Sequence, residues 1–343
     1  MKKPSYSVVI VIDRLDRPIG ALPALQKMGA GERTREIFVC VGKNPSNQRN
    51  AGVKSCSTPL VYFLDDDSQV AEGTVTDLLS HFEDRRTAVA GGPNLVPPDA
   101  ISFEKTVNAV LASWMGSFSV RFRYASIGSV KEATEKDLIL CNMMVRRDTF
   151  LSEGGFRTDL YPNEENEFLN RLLHKGFRLV YDPRGAVFRS RRKSLGAFCW
   201  QAFRYGRGRA RQMKVYPCLS DIIHLAPLFF VLYLLSLPLP WVVTVGPAWQ
   251  PFLSLLKSLG WIPLALFLLG AVGTGISAAS YHRRFMDAFK VPILIFLRHS
   301  LYGLGLSAGF FTSIPQPPLE VQVYKVQKGG NKFKFISVRA GKK

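Results

Sequence analysis

The run Val61-Tyr62-Phe63-Leu64-Asp65-Asp66-Asp67-Ser68 decides how this chain folds, because four apolar residues stop at three consecutive carboxylates. Such an apolar run is typical of a strand that is buried on both faces of a parallel sheet. Open α/β sheets bind ligands at the carboxyl ends of their strands, so the acids fall where a ligand would lie. Crowded carboxylates repel each other, and a divalent ion shared with substrate phosphates would neutralise them. A solvated acidic turn at a strand end is the alternative.

Strand and helix signals alternate on both sides of this run. Residues 7–12, 36–41 and 60–64 are apolar enough for buried strands, and residues 72–84 carry the apolar face of a helix. This alternation predicts the α/β class, with a Rossmann-like, mostly parallel sheet and right-handed crossovers. The first apolar run, 8–12, is too short to be the core of a signal peptide.

The charge of the chain indicates an anionic partner. There are 45 Lys and Arg against 26 Asp and Glu, a net charge of +19. Acid-free basic blocks cover 184–214, with ten Lys or Arg, and 321–343, with seven. Both blocks flank hydrophobic segments, which favours anionic membrane lipids over nucleic acid as the partner. The five cysteines are scattered without a C-x-x-C pair, which favours reduced thiols facing the cytosol.

The composition becomes apolar after residue 218. The runs 222–245 and 261–279 are each long enough to cross a bilayer. The positive-inside rule places the basic residues around them in the cytoplasm, which predicts a two-helix hairpin. A third run, 291–311, contains Arg298 and His299 near its middle, where a charge is costly. We expect this run to be interfacial, re-entrant or packed on its neighbours, and a third span is the alternative.

Three groups of short motifs follow one another along the chain. They are Arg49-Asn50-Ala51-Gly52-Val53 with Phe63-Leu64-Asp65-Asp66-Asp67; Asn142-Met143-Met144-Val145-Arg146-Arg147 with Gly154-Gly155-Phe156; and Glu164-Glu165-Asn166-Glu167-Phe168 with Arg171-Leu172, Gly176-Phe177 and Tyr181-Asp182-Pro183. In this order and spacing, over most of residues 5–215, they resemble the family 2 glycosyltransferases, which have a GT-A fold and C-terminal membrane helices.

The resemblance implies a metal-dependent donor site at the acidic triplet. The family's D-x-D motif matches Asp65 and Asp67, which in the family hold Mn²⁺ or Mg²⁺ against the diphosphate of a nucleotide-sugar donor. We expect Asp67 to be the direct metal ligand, Asp65 to contact ribose or support the metal, and Asp66 to lie at the donor. A divalent ion would stabilise the negative charge of the leaving nucleoside diphosphate.

The resemblance also implies a general base. Glu165 matches the family's catalytic acid, which takes the proton of the attacking acceptor hydroxyl. The pair here is Glu164-Glu165 rather than Glu-Asp, so the base has a longer arm. We expect Glu164 to support it and to contact acceptor or phosphate. The structural alternative is a helix start, where acids are favoured and Asn163 would be the N-cap.

Further positions match the family's substrate contacts. Gln201, Arg204 and Tyr205 match a Q-x-x-R-W motif with Tyr for Trp, and are expected to contact acceptor or phosphate. The segment 198–213 alternates aromatic and basic residues, so a lipid-headgroup anchor is the other interpretation. The remaining expected donor contacts are Asp13, Arg49, Asn50, Asn142 and Arg189. For Arg49 and Asn50 the alternative is ordinary polarity of a helix surface.

Two positions depart from the family pattern. Cys40-Val41-Gly42 stands where the family often has an Asp that recognises uracil or ribose, so the donor base is left open. Arg189 stands where the family often has a metal-binding His. An arginine there could replace the metal by neutralising the diphosphate directly.

Together these features predict four regions: a GT-A domain over 1–190, a basic amphipathic interfacial segment over 191–220, a membrane region of two or three helices over 221–312, and a basic cytoplasmic tail over 313–343. The function expected from the resemblance is inverting transfer of a sugar to a hydroxyl of a lipid-linked or polysaccharide acceptor. The enzyme would be a multi-pass protein of the cell (inner) membrane with its catalytic domain in the cytoplasm. A catalytically silent scaffold on the same fold is the alternative.

Overall fold

Strands and helices alternate through the first 190 residues of the chain. The computed structural model describes residues 4–27, 34–215, 217, 219–313, 318–329 and 332–338. The strands are β1 (Tyr6–Ile12), β2 (Thr34–Gly42), β3 (Leu60–Asp65), β4 (Gln69–Val70), β5 (Thr87–Gly91), β6 (Asn94–Leu95), β7 (Lys131–Glu132), β8 (Asn142–Arg146), β9 (Arg178–Tyr181), β10 (Val187–Phe188), β11 (Val321–Gly329) and β12 (Lys332–Val338).

The helices continue beyond this alternating part of the chain. They are α1 (Ala21–Lys27), α2 (Pro45–Ser55), α3 (Thr74–Ser80), α4 (Ser102–Ala112), α5 (Trp114–Ser117), α6 (Arg147–Ser152), α7 (Glu164–His174), α8 (Leu195–Val215), α9 (Ala226–Ser236), α10 (Leu239–Val242), α11 (Gln250–Leu259), α12 (Ile262–His282) and α13 (Asp287–Phe311). They divide between two compact units, one built from 1–100, 119–190 and 315–343, the other from 101–118 and 191–314.

The first unit is organised by a mixed sheet of nine strands in the order β12-β11-β2-β1-β3-β8-β5-β9-β7. Strand β1 lies between β2 and β3 and runs parallel to both, as the alternation predicted. Strand β8 is antiparallel to β3 and β5, so the sheet is mixed rather than uniformly parallel. A small second sheet has the strand order β4-β10-β6, and its strand β4 is the next strand after β3 in sequence.

Strand β3 is buried on both faces, which explains its uninterrupted apolar sequence. Val61 and Phe63 join one core cluster, which includes Phe168 of α7. Leu60, Tyr62 and Leu64 point the other way and pack in the cluster that contains α1 and α3. The strand therefore emerges from the core at Asp65, and the acidic triplet lies at the carboxyl edge of the sheet.

The predicted basic tail instead contains two strands of the same sheet. Strand β11 pairs antiparallel with β2, and β12 pairs with β11 at the edge. Lys325 on β11 forms an ion pair of 2.9 Å with Glu36 on β2. The charge of this segment predicts a tail, but Val321 and Val323 alternate with polar residues at the period of a strand.

The second unit contains the long apolar helices. Among the described residues, three helical segments are long and apolar enough to cross a membrane: Ile222–Val242, Pro247–His282 and Asp287–Phe311. Helix α13 packs on the basic helix α8 at unusually short range, because a Cβ on Gly305 would lie 2.1 Å from the carbonyl oxygen of Phe203. This contact holds the last apolar helix against the basic one.

The polar residues of α13 have partners within this unit. Arg298 donates to the carbonyl of Gly116 at 2.7 Å, and a ring nitrogen of His299 lies 2.7 Å from the carbonyl of Met115. Asp287 is fully buried and accepts a hydrogen bond of 2.6 Å from Thr106. Arg298 and His299, the residues that make a third membrane span costly, therefore contact α5, which belongs to the same unit.

Candidate active site

Three arginines form ion pairs with the three acids at the end of β3. Arg49 binds Asp65 at 2.8 Å, and Arg17 lies 3.3 Å from Asp66. Arg189 bridges the outer two acids, with Nη1 2.7 Å from Asp65 and Nε 2.6 Å from Asp67. The repulsion expected within the triplet is therefore offset by guanidinium groups of the chain itself.

These charges set the protonation of Asp65. Burial by itself would raise the pKa of Asp65, but the charges of Arg189 and Arg49 outweigh it and hold this pKa below the ordinary value. The neighbouring Asp66 behaves oppositely, because burial and then the charges of Asp67 and Asp65 raise its pKa. The first and second acids of one triplet thus differ because the fold surrounds them with different charges.

Arg189 reaches the triplet from the small second sheet. It follows β10, which pairs with β4 directly after the triplet and with β6 on its other side. The backbone amide of Arg189 donates to the carbonyl of Leu95 at 2.9 Å, which fixes the start of the side chain. Arg189, which stands where the family often has His, thus contacts both acids of the D-x-D motif.

Arg49 links the acidic triplet to a second acidic cluster. It lies on α2 and is buried, so the alternative of ordinary helix-surface polarity is wrong for this residue. Its other guanidinium nitrogen, Nη1, lies 3.3 Å from Glu164. Gly52, one turn further along α2, allows this approach, because a Cβ there would lie 2.6 Å from Val9 of the sheet.

The second cluster lies at the start of α7, where Glu164, Glu165 and Glu167 fall in the first turn. Glu164 is 2% exposed, and burial followed by the neighbouring charge of Glu165 raises its pKa to about 7. Glu167 is also buried and pairs with Arg171 at 2.8 Å. The expected N-cap, Asn163, immediately precedes the helix but makes no side-chain capping hydrogen bond.

Glu165 is the accessible acid of the pair, with its side chain 12% exposed. Its carboxylate lies 3.5 Å from Nη1 of Arg123, a residue that sequence reasoning missed. Arg123 is itself fixed by the carbonyls of Lys136 and Glu135 and by the side chain of Asn166. No spacing in the sequence signals this contact, because Arg123 precedes Glu165 by 42 residues and lies outside every motif.

Two of the expected donor contacts are engaged in holding the scaffold. Asn50 binds both the amide and the carbonyl of Phe156, which follows the two positive-φ glycines of the Gly154-Gly155 turn. Asn142 is fully buried, accepts from Tyr62 at 2.7 Å and donates to the carbonyls of Pro93 and Gly185. Direct contact of either side chain with a donor stays a prediction.

The remaining expected residues fall in two places. Asp13 follows β1 and is exposed, and it pairs with Arg17 at 2.5 Å, beside the triplet. Gln201, Arg204 and Tyr205 lie on α8 in the second unit, where Gln201 donates to the hydroxyl of Tyr205 at 3.0 Å. Their contact with acceptor or phosphate stays a prediction.

The arginines also decide how well the site suits a divalent ion. Mg²⁺ and similar hard cations bind through oxygen atoms of carboxylates and phosphates. Both oxygens of Asp65 and one oxygen of Asp67 are engaged by guanidinium groups. Within the described ranges, no group of three or more His, Cys, Asp or Glu side chains could hold a metal ion. The D-x-D acids as arranged here do not fit a metal unless Arg189 moves away.

Comparison with known proteins identifies the family. Residues 60–276 match the family described as glycosyl transferase family group 2, and the chain belongs to this family. The predicted GT-A fold is confirmed by the mannosyltransferase PcManGT from Pyrobaculum calidifontis, solved in complex with GDP-Man and Mn²⁺. The two structures align with a TM-score of 0.50 and 12% identity, over 90% of this chain and 87% of that one.

Two relatives each match about half of this chain. The pre-mycofactocin glycosyltransferase of Mycobacterium tuberculosis is 29% identical over 172 residues, which are 49% of this chain and 34% of that protein. The succinoglycan biosynthesis protein ExoA of Rhizobium meliloti is 23% identical over 177 residues, 51% of this chain and 47% of that protein. The chain thus spans between a third and a half of the length of these relatives.

Proposed function

We propose that this chain is a membrane-bound inverting glycosyltransferase that moves a sugar from a nucleotide-sugar donor to a hydroxyl of a lipid-linked or polysaccharide acceptor. The observation that carries the proposal is the pair of acidic clusters joined by one buried arginine. Arg49 contacts Asp65 at the end of β3 and Glu164 at the start of α7, directly before Glu165. A donor-binding edge and an accessible carboxylate are thereby held together within one unit.

The chemistry assigned to Glu165 follows from its access to solvent. The acceptor oxygen attacks the anomeric carbon, the bond from that carbon to the diphosphate oxygen breaks, and the nucleoside diphosphate leaves with the electron pair. Glu165 accepts the hydroxyl proton as the new bond forms. A single displacement of this kind inverts the anomeric configuration. Glu164 is too deeply buried for this exchange and is assigned to positioning.

The donor class is supported by the family and by the positive charge at the sheet edge. PcManGT was solved with GDP-Man, a nucleotide sugar. Arg189 here lies at the carboxyl end of β3, where the donor's diphosphate would be bound, with Asp13, Asp66 and Asn142 assigned to its surroundings. Gln201, Arg204 and Tyr205 are assigned to the acceptor or its phosphate. ExoA, a succinoglycan biosynthesis protein, supports a glycan acceptor.

The C-terminal hairpin supports a specific membrane topology. Strands β11 and β12 follow the apolar helices in sequence and belong to the same sheet as β1. Because β9 and β11 lie in one sheet, a chain that spans the membrane would cross it an even number of times between them. Because α13 carries Arg298 and His299, bound to α5, we assign the two crossings to the segments Ile222–Val242 and Pro247–His282. The catalytic unit and the hairpin then share the cytoplasmic side.

A transfer assay tests the proposed function. Purified full-length protein in vesicles of bacterial lipid extract is incubated with UDP-, GDP- and dTDP-linked radiolabelled sugars, and label in the lipid and polymer fractions is counted. One donor class should label the acceptor, with inversion at the anomeric carbon found by NMR of the product. Label retained with the original configuration would contradict the mechanism, and absence of transfer from every donor would favour the silent scaffold.

A labelling experiment tests the topology. Single cysteines replace Leu319, before β11, and Gly246, between the first two apolar segments, in a background without Cys199 and Cys218. Membrane-impermeant maleimide is applied to sealed vesicles of known orientation. The two positions should react from opposite sides of the membrane. Reaction of both from one side would overturn the assignment of the crossings.

A further inference from the structure

Arg189 places a cation between Asp65 and Asp67 at the carboxyl end of β3. We infer that the guanidinium of Arg189 is the resident cation of the donor site and binds the diphosphate in place of a divalent metal ion. The inference rests on the proposed function, because it concerns how the same donor is held. It follows from which carboxylate oxygens of Asp65 and Asp67 are already bound by guanidinium groups.

Arg189 occupies the position between the two acids that a shared metal ion would take. Its Nη1 is 2.7 Å from Oδ2 of Asp65 and its Nε is 2.6 Å from Oδ1 of Asp67. The second oxygen of Asp65 is bound by Arg49 at 2.8 Å. A metal ion that bridged these acids would have to displace one guanidinium from both carboxylates.

The guanidinium keeps donors for a ligand. It carries five N–H groups in a planar fork, and the two ion pairs use one on Nε and one on Nη1. The side chain remains 32% exposed, so the other N–H groups are not sealed in the core. Planar forks of this kind bind phosphate oxygens with two parallel hydrogen bonds. One group can therefore contact the acids and the diphosphate together, as a metal does.

The charge on Arg189 is permanent. Although burial lowers the pKa of a guanidinium, the charges of Asp65 and Asp67 raise the pKa of Arg189 well above its ordinary value. With Arg17 and Arg49, it brings three positive charges to the three acids of the triplet. Arg17 and Arg49 also pair with Asp13 and Glu164, whereas Arg189 pairs with the two outer acids of the triplet. A diphosphate bound at this edge would meet a cation that is already in place.

The decisive measurement needs no variant. Binding of UDP, GDP, dTDP and CMP to full-length protein in detergent is followed by calorimetry, once in EDTA and once with Mn²⁺. We expect the dissociation constant of the preferred nucleotide to agree between the two conditions within about twofold. Binding that disappears in EDTA would overturn the inference and leave the proposed function standing. Failure of every nucleotide to bind under both conditions would overturn the proposed function, and the inference with it.

Variants of Arg189 sharpen the test. Arg189→His restores the ligand type that the family often has here, and should make nucleotide binding at least about tenfold tighter with Mn²⁺ than in EDTA. Arg189→Lys keeps the charge but loses the fork, and should weaken binding in EDTA without creating a metal requirement. Metal-independent binding of unchanged strength in both variants would contradict the inference.

Arg178 supplies the matched control. Its side chain is 33% exposed and bridges two carboxylates, Asp84 at 3.2 Å and Glu132 at 3.3 Å, away from the site. Arg178→His should leave nucleotide binding and its metal response as in the wild type. Circular dichroism and thermal melting of each variant show whether it is folded.

Discussion

The two acidic clusters of this enzyme are alike in sequence and opposite in behaviour. Asp65, at the end of β3, contacts two arginines, and their charges lower its pKa despite its burial. Glu164, at the start of α7, forms an ion pair with Arg49, and burial beside Glu165 raises its pKa to about 7. The same guanidinium touches both acids, so the difference comes from what else surrounds each one.

The comparison shows why an acidic run in a sequence does not by itself identify a metal site. Repulsion between carboxylates is relieved by any cation that the fold brings close, and here arginines from distant parts of the chain do so. Around Asp65 the outcome is an ion-pair network at the carboxyl end of β3. Around Glu164 the outcome is a buried carboxyl directly before the more accessible Glu165.

The largest expected effect separates the two acids of α7. Glu165→Gln removes the proposed proton acceptor and should lower the rate of sugar transfer by about 10²- to 10⁴-fold. Nucleotide binding should be unchanged, because Glu165 pairs with Arg123 rather than with the arginines of the β3 acids. The control is Asp148→Asn on α6, an exposed acid. A Glu165→Gln enzyme with the wild-type rate would show that another group is the base.

The next effect breaks the link between the clusters. Arg49→Met leaves Asp65 with one arginine and removes the ion pair of Glu164, and should lower the free energy of unfolding by about 3–5 kcal/mol. Arg178→Met breaks two more exposed ion pairs and should cost less than about 1 kcal/mol. The melting temperatures of both variants measure this. Equal losses would mean that the link through Arg49 has no special importance.

The third effect concerns pH. The pKa of Glu164 rises from 4.5 to about 7 on folding, so the native state binds the extra proton between these values and loses stability as pH rises through this window. Glu164→Gln removes this titration. The stability of the wild type relative to the variant should therefore fall between pH 5 and pH 7.5, by at most about 3 kcal/mol. Thermal melts at several pH values measure the difference, and a difference that is independent of pH would contradict the raised pKa.

The smallest effect concerns an acid whose ion pair is partly exposed. Glu36 on β2 pairs with Lys325 on β11. The pKa of Glu36 is lowered because the hydrogen bonds from Lys325 and Ser57 outweigh the effect of burial. Lys325→Met should reduce the unfolding free energy by less than about 1 kcal/mol, since the pair is partly exposed. A loss as large as that of Arg49→Met would mean that the contact between β11 and β2 contributes as much to the free energy of unfolding as the link through Arg49.

The sequence allowed the fold class and the family to be predicted, because both depend on local patterns. Uninterrupted apolar strands and the order of the motifs are visible in one dimension, and both expectations are confirmed. The contacts that define the site were not predictable in this way. Arg123 approaches Glu165, and Arg49 joins Asp65 to Glu164, only after the sheet and α7 have packed. The hairpin of β11 and β12 is not predicted by the charge of this segment, although Val321 and Val323 alternate with polar residues.

Strand β11 also constrains how the protein is made. It covers the edge of β2, but it is synthesised only after every apolar segment has left the ribosome. At 5–20 residues per second, the roughly 280 residues between the two strands keep this edge uncovered for tens of seconds. An uncovered strand edge is a template for unwanted pairing. The unit that contains β2 therefore completes its sheet only after the apolar segments have been synthesised, and blocking the proposed membrane insertion of these segments should yield an aggregation-prone protein.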